Sequence, residues 1–268
     1  MYDMHIHTRH SPDAPADATM EAYAERAVSL GYDGIGFTDH QEFDPADEGF
    51  ARLDYDGYSR EIDDVRKKFK GRLSILKGVE ISYQSEFSDE PKKYLRGKDF
   101  DFVIGAVHFV NRCPFHHGDR YFRGKTPEEA VRPYFAEVLR AAESGLFDVL
   151  GHLDHLKRYS IPIYGSYSAE PYCEDIERIL RAVIQTGITL EINTSGFRQQ
   201  SLLEPYPSSD ILKKFVRLGG KATTFASDSH GVPHFHQGME QSIKIARAAG
   251  IQSAVHFTSR LRHDTPIG

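Results

Sequence analysis

The chain has 268 residues, a formal net charge of −6, and 14 histidines against two cysteines and no tryptophan. That length suits one sizeable core of α/β-barrel dimensions. The acidic balance and the lack of a long Lys/Arg block argue against a nucleic-acid partner, and no apolar run approaches a bilayer span.

Asp3–His7 reads as the first strand, and His5-Ile6-His7 places two imidazoles on one face because strand side chains alternate with period two. A helix follows in which Met20, Tyr23, Ala24 and Ala27 keep the spacing of one buried face. Gly34–Thr38 is the second strand and ends in Asp39-His40. Leu73–Ile81 is the third and carries Gly78-Val79-Glu80; Phe102–Val107 leads into His108. Thr126-Pro127-Glu128-Glu129 combines a capping Thr, a Pro at the first helical position and a Glu placed for a capping box, so a helix should run from there to Gly145. Val149–Gly151 leads into His152, Thr189–Asn193 follows, and Ala222–Ser227 runs into Asp228-Ser229-His230. Ser253–Phe257 is an eighth candidate strand. Strands alternating with amphipathic helices indicate βα units and a largely parallel sheet. With no linker or repeat to divide it, the chain reads as a single domain over residues 1–268, and seven or eight strands favour a barrel whose chemistry sits on loops after the strands.

Taken singly, a His-x-His, an Asp-x-His or a Glu after an apolar run is more often an ordinary polar residue than a metal ligand. Repeated at the same end of successive strands, such residues would converge at one mouth. Imidazole and carboxylate without thiolate suit zinc, manganese or iron. His116-His117, His256 and His263 carry no spacing signal and read as solvent-facing or locally bonded. His234-Phe235-His236 lies in a loop after the seventh strand, where functional residues gather. Tyr83 and Tyr159 are candidate pocket-wall residues. Cysteine-phosphatase chemistry is poorly supported, because Cys113 and Cys173 have Arg120 and Arg178 at the wrong spacing for a Cys-x5-Arg loop. Neither a Walker loop nor a nucleophile elbow is present.

The order His-x-His, Thr-Asp-His, Gly-Val-Glu, Val-His, Gly-His and Ser-Asp-x-His, from His5 to His230, resembles the polymerase and histidinol phosphatase (PHP) superfamily. The stretches from Gly151 to Tyr159 and from Glu191 to Arg198 resemble its histidinol-phosphate phosphatase branch. The resemblance implies a distorted seven-stranded (β/α) barrel with two to three transition-metal ions (Zn, Mn or Fe) at the strand ends. It assigns His5, His7, Glu80 and Asp228 to the first ion, a bridging Glu80 with His108 and His152 to the second, and His40 and His230 to the third. The remaining ligand, eight residues after the first histidine and often a His in the family, is Asp13 here, with His10 nearby as the alternative. His155 stands where an apolar residue is usual.

The implied activity is hydrolysis of a small phosphate monoester, foremost L-histidinol phosphate in histidine biosynthesis, by a hydroxide bridging two ions. Arg158 and Arg198 would clamp the phosphoryl oxygens. Asp154 or a bound water would protonate the leaving group, or Asp154 would only orient a ligand. The competing readings are a PHP phosphoesterase acting on another small phosphate such as a nucleotide, and a metal-binding protein without catalysis. The expected partner is a small phosphomonoester, with neither nucleic acid nor membrane. The Met-Tyr-Asp-Met-His start and the two cysteines, too few for a disulfide framework, fit a cytoplasmic protein.

Overall fold

The computed structural model describes residues 1–45 and 53–267. Its strands in chain order are β1 (Tyr2–Ile6), β2 (Gly34–Phe37), β3 (His40–Gln41), β4 (Ser74–Lys77), β5 (Glu80–Ser82), β6 (Ile104–Ala106), β7 (Phe109–Val110), β8 (Cys113–Pro114), β9 (Val149–Leu150), β10 (Thr189–Asn193), β11 (Ala222–Ala226), β12 (Ser253–Thr258) and β13 (Leu261–Pro266). The helices are α1 (Met20–Ser29), α2 (Tyr55–Lys68), α3 (Glu90–Leu95), α4 (Gly118–Tyr121), α5 (Pro127–Glu143), α6 (Lys157–Tyr164), α7 (Cys173–Thr186), α8 (Ser209–Arg217) and α9 (Met239–Ala249).

The fold is α/β with a mixed sheet. β1, β2 and β4 form a parallel three-stranded sheet. β3, β5, β6, β9, β10, β11 and β12 are parallel neighbours in a larger sheet, to which β13 adds an antiparallel edge. A closed seven-stranded ring is therefore not present as one continuous sheet among the described residues. The break has a local cause. The second strand is interrupted at Thr38-Asp39 and the third at Gly78-Val79, so each passes from one sheet into the other. Gly78 is required there, since a Cβ would fall 2.6 Å from the Phe102 ring and 2.7 Å from the Thr38 methyl. On the opposite side the sheets meet through an isolated parallel bridge between Ile6 and Ser229. Two hydrogen bonds flank it, His7 N–H to Ser229 O at 2.9 Å and Asp228 N–H to His5 O at 2.8 Å.

Helix formation follows the sequence closely. Met20, Tyr23, Ala24 and Ala27 are the buried face of α1. Thr126 caps α5 in a complete capping box with Glu129, and Pro127 is the first helical residue. The helices cover the sheets, α1 packing on α2, α5 on α7, and α7, α8 and α9 in succession. One large apolar cluster fills the space between helices and sheets. A smaller one, including Met4, Leu76, Ile104 and Val149, uses positions that precede the ligand-type residues along each strand. The apolar contacts thus hold the strands together and leave their following ends to polar chemistry.

Candidate metal centre

The recurring geometry is simple. His108, His152 and Asp228 each stand two residues beyond a strand, after β6, β9 and β11. His40 and Glu80 open β3 and β5, just past the two strand breaks, while His5 lies in β1 and His7 directly after it. Parallel neighbours bring all these ends together. His5, His7, Glu80, His152 and Asp228 are buried; His40, His108 and His230 are half-buried. Asp228 holds a left-handed φ of 50°. Asp tolerates that region better than most residues, and such backbone positions gather at functional sites.

Glu80 is the hub. One of its oxygens lies 2.9 Å from His152 Nε2, 3.4 Å from His108 Nε2 and 3.5 Å from His5 Nε2. The other lies 2.8 Å from His40 Nδ1 and 3.6 Å from His7 Nε2. His5 Nε2 is 3.0 Å from His7 Nε2, and His7 Nε2 is 3.4 Å from Asp228 Oδ1. Asp13, from the loop between β1 and α1, reaches His230 Nε2 at 3.0 Å and His40 Nε2 at 3.5 Å. His10 points elsewhere, its Nε2 3.0 Å from Glu61.

Several of these spacings suit atoms that share a cation as well as they suit hydrogen bonds. Ligands about 2.1 Å from a shared ion lie roughly 3.0–3.4 Å apart. Three sets of donor atoms each fall within 4.8 Å of one another: His5, His7 and Glu80; His40, Glu80 and His108; and His7, His40 and His230. His40 Nδ1, Glu80 Oε2 and His152 Nδ1 are buried without a hydrogen-bond partner, although a Glu80 oxygen is 2.8 Å from His40 Nδ1. Proximity without hydrogen-bond geometry is expected of atoms aimed at a common ion.

The electrostatics agree. Burial opposes the charges of Glu80 and Asp228, yet the surrounding imidazoles outweigh it and hold both carboxyls well below their usual range. Burial also works against a proton on His108, but Glu80 and Glu42 raise it to about 10. His7 is pushed down by burial and by His230 and His40, which leaves its lone pair free. A divalent cation held there would supply the positive charge that surrounds these carboxylates, in place of imidazole protons.

Asp13, His40, Glu80, His108, His152, Asp228 and His230 line a cavity of about 720 Å³, and His5 and His7 lie behind it, against Glu80 and Asp228. Arg158, from α6, and Arg198 both line it. Arg198 is pinned, donating to Ser227 O and Asp228 O at 2.8 Å each. The Arg158 guanidinium lies over the Tyr159 ring, 5.2 Å from its centre. Asp154 does not line the cavity. It is buried, pairing with Lys157 Nζ at 2.9 Å and accepting from the Ser208 N–H at 3.2 Å, so it lacks the access a proton donor needs.

Several lining residues were not singled out from sequence, or were given bland readings. His116 is exposed, as expected, but sits on the cavity wall, as do His234, Phe109 and Phe115. His236 turns away to Tyr32. Tyr159 lines the cavity, whereas Tyr83 packs edge-on to Phe147. Glu42 was missed: it lines the cavity and accepts from His108 Nδ1 at 3.1 Å. Its one sequence signal is that His40 and Glu42 repeat the i, i+2 spacing. His155 is buried in the wall among Phe115, Tyr159 and Tyr206, with neither ring nitrogen partnered.

Comparison with known proteins places this geometry. The PHP domain model matches residues 3–195. The histidinol-phosphatase of Lactococcus lactis is 28% identical over 96% of this chain and 94% of its own length. A probable histidinol-phosphatase of Deinococcus radiodurans is 30% identical over 85% of each. The crystal structure of the L. lactis histidinol phosphate phosphatase, complexed with zinc, L-histidinol and phosphate, superposes with a TM-score of 0.88 and covers 98% of both chains at 27% identity. The chain belongs to the PHP domain family, in the branch of the histidinol-phosphatases.

Proposed function

We propose that this protein is a metal-dependent phosphatase that hydrolyses L-histidinol phosphate to L-histidinol and phosphate, a step of histidine biosynthesis. The observation that carries the reading is one cluster of nine imidazoles and carboxylates around Glu80, seven of which line a cavity whose wall also holds two arginines. The similarity to an enzyme bound to zinc, L-histidinol and phosphate supports the substrate. Joining β2 to β3 and β4 to β5 across their breaks, and leaving β12 and β13 as an extension beyond β11, β1, β2–β3, β4–β5, β6, β9, β10 and β11 count as the seven strands of a distorted barrel, and the whole of residues 1–268 as one PHP domain.

In this reading two to three zinc, manganese or iron ions are held. His5, His7, Glu80 and Asp228 take the first; Glu80, His108 and His152 the second; Asp13, His40 and His230 the third. Bound there, the ions supply Lewis acidity towards the phosphoryl oxygens and lower the pKa of the attacking water. The chain supplies the rest. Arg158 and Arg198 bind the non-bridging oxygens through charge-assisted hydrogen bonds, which strengthen as charge builds towards the transition state. Because Arg198 is already anchored to two carbonyls, its guanidinium is oriented before the ester arrives. Asp154 has a positioning role: it fixes Lys157 and hence the start of α6, the helix that presents Arg158. Phe109, Phe115 and Tyr159 line the same cavity and exclude water from the organic part of the ester.

The test is a phosphate-release screen across phosphomonoesters, with metal content measured on the same sample. L-Histidinol phosphate should exceed nucleotides and sugar phosphates in kcat/KM by roughly tenfold or more, the scale a few pocket contacts provide. Preference for another ester would move the assignment to that substrate. Unchanged activity after complete chelation would overturn the metallophosphatase reading.

A further inference from the structure

Behind the proposed ligands lies a second set of polar side chains, buried and mutually bonded. Glu191 and Asn193 are two residues apart on β10 and therefore share a face. Glu191 is wholly buried. One of its oxygens lies 2.7 Å from His5 Nδ1. The other accepts from the His152 backbone N–H at 2.7 Å and from Asn193 Nδ2 at 3.0 Å. Asn193 Nδ2 also reaches Asp228 Oδ2 at 3.2 Å. Asn193 Oδ1 accepts from the Ser195 N–H at 2.9 Å, and the Ser195 hydroxyl lies between Asn193 Oδ1, at 2.6 Å, and Asp228 Oδ2, at 3.2 Å.

A buried carboxylate is costly unless its charge is matched. Among the described residues no Lys or Arg pairs with Glu191; its one ionic partner is the His5 imidazole. A purely architectural role, bonding one backbone N–H and one amide, would be met by a neutral side chain. The direct contact with His5 Nδ1 goes beyond that architectural role. The contact at Nδ1 also fixes the tautomer. With the proton held on Nδ1 towards Glu191, Nε2 presents its lone pair towards Glu80 and His7.

We propose that Glu191 is a positioning residue that sets three metal ligands as one unit. It acts on His5 through the ring, on His152 through its backbone, and on Asp228 through Asn193 and Ser195. The inference rests on the metallophosphatase reading and adds to it a function for the segment from Glu191 to Ser195. Carboxylates behind metal-binding imidazoles orient the ring and make it a stronger donor. Glu191 does this for His5 and, through the same side chain, couples three assigned ligands that come from three different strands, β1, β9 and β11. Losing it should loosen all three together.

The experiment compares the full-length parent with Glu191→Gln, Glu191→Asp and Asn193→Ala, each stripped with chelator. Two quantities are read: the melting temperature of the chelated protein, and the zinc-binding isotherm in competition with a chromophoric chelator. Gln keeps an acceptor for His5 but sets its amide donor against the His152 N–H; Asp keeps the charge but falls short of His5. We expect zinc affinity at the tightest sites to fall roughly 10- to 100-fold in both Glu191 variants and less in Asn193→Ala. The chelated forms should melt close to the chelated parent. Parent-like zinc isotherms in the Glu191 variants overturn the proposal. So does failure of Glu191→Gln and Asn193→Ala alike to fold without metal, since the segment would then serve the fold instead of the ligands. A parent that binds no zinc is a different result, which overturns the metallophosphatase reading itself.

Discussion

Glu80 has five imidazoles, those of His5, His7, His40, His108 and His152, within 3.6 Å. Replacing it with Gln keeps the size but turns an amide donor towards those rings. Glu80→Gln should lose at least one ion per chain and roughly a thousandfold in turnover, the scale of a lost electrostatic stabiliser; elemental analysis and steady-state rates check this, and a near-normal rate would refute the bridge. The two arginines, alike from sequence, now separate. Arg158→Ala should raise KM and lower kcat with metal content unchanged. Arg198→Ala should do both and also shed metal, because Arg198 holds the carbonyls of Ser227 and Asp228 beside a proposed ligand. Lys should rescue either only in part, lacking the planar fork. His155 carries an opposite expectation. Two unpartnered ring nitrogens in the cavity wall cost about 1 kcal/mol or more, so His155→Leu should raise the melting temperature of the chelated protein, with metal content read alongside because its ring lies 4.6 Å from that of His152. At this scale the ligand-type residues in or just past strands were legible, whereas Asp13, in the loop between β1 and α1, was reached only through the family resemblance. Their supports were not: Glu42 and Glu191 lie 66 and 186 residues from the histidines they hold, and no local pattern records such a pairing.

Elements were legible where their cause is local. The α5 start is written in Thr126, Pro127 and Glu129, and each takes its expected place. Removing the cap with Thr126→Ala should destabilise by about 1 kcal/mol, which thermal melts would register as roughly 2–4 °C in a domain of this size. An unchanged melt would mean that tertiary packing alone sets the helix start. Strands with alternating apolar residues were also found, Thr189–Asn193, with Leu190 and Ile192, to the residue. The failures share a reason. The third strand read as one run, Leu73–Ile81, because Gly78 and Val79 look no different from their neighbours until the Phe102 ring is placed against them. The β7–β8 hairpin and β13 escaped notice because Phe109–Val110 and Cys113–Pro114 are two residues each and β13 is exposed throughout, leaving no apolar alternation to read. Yet the hairpin supplies Phe109 to the cavity and leads directly into Phe115 and His116.

At the scale of the molecule, the proposed ions join what the hydrogen bonding divides. His5 belongs to the three-stranded sheet, whereas His40, Glu80, His108, His152 and Asp228 lie on or just beyond strands of the larger one. Metal bound between them should therefore stabilise the whole fold. For each site at a free ion concentration a thousandfold above Kd, the gain is about 4 kcal/mol, or on the order of 10 °C in melting temperature for a chain of this length. The pH dependence has a definite sign. His108, raised to about 10 in the metal-free protein, keeps its proton through neutrality. The ion pairs that raise it stabilise the chelated fold fully below the ordinary imidazole pKa of about 6.5, and that contribution is lost as pH climbs through about 10. An ion must displace the same proton, so metal affinity rises over that interval. These are one linkage seen from two sides: the chelated protein weakens as His108 loses its proton, while the loaded protein, in which an ion replaces that proton, does not. Paired melts of loaded and chelated protein should show a gap that is smallest near pH 6 and widens steadily towards pH 9. A gap that is constant across that range would mean that no imidazole proton is exchanged for metal, and the ligand assignment would fail with it.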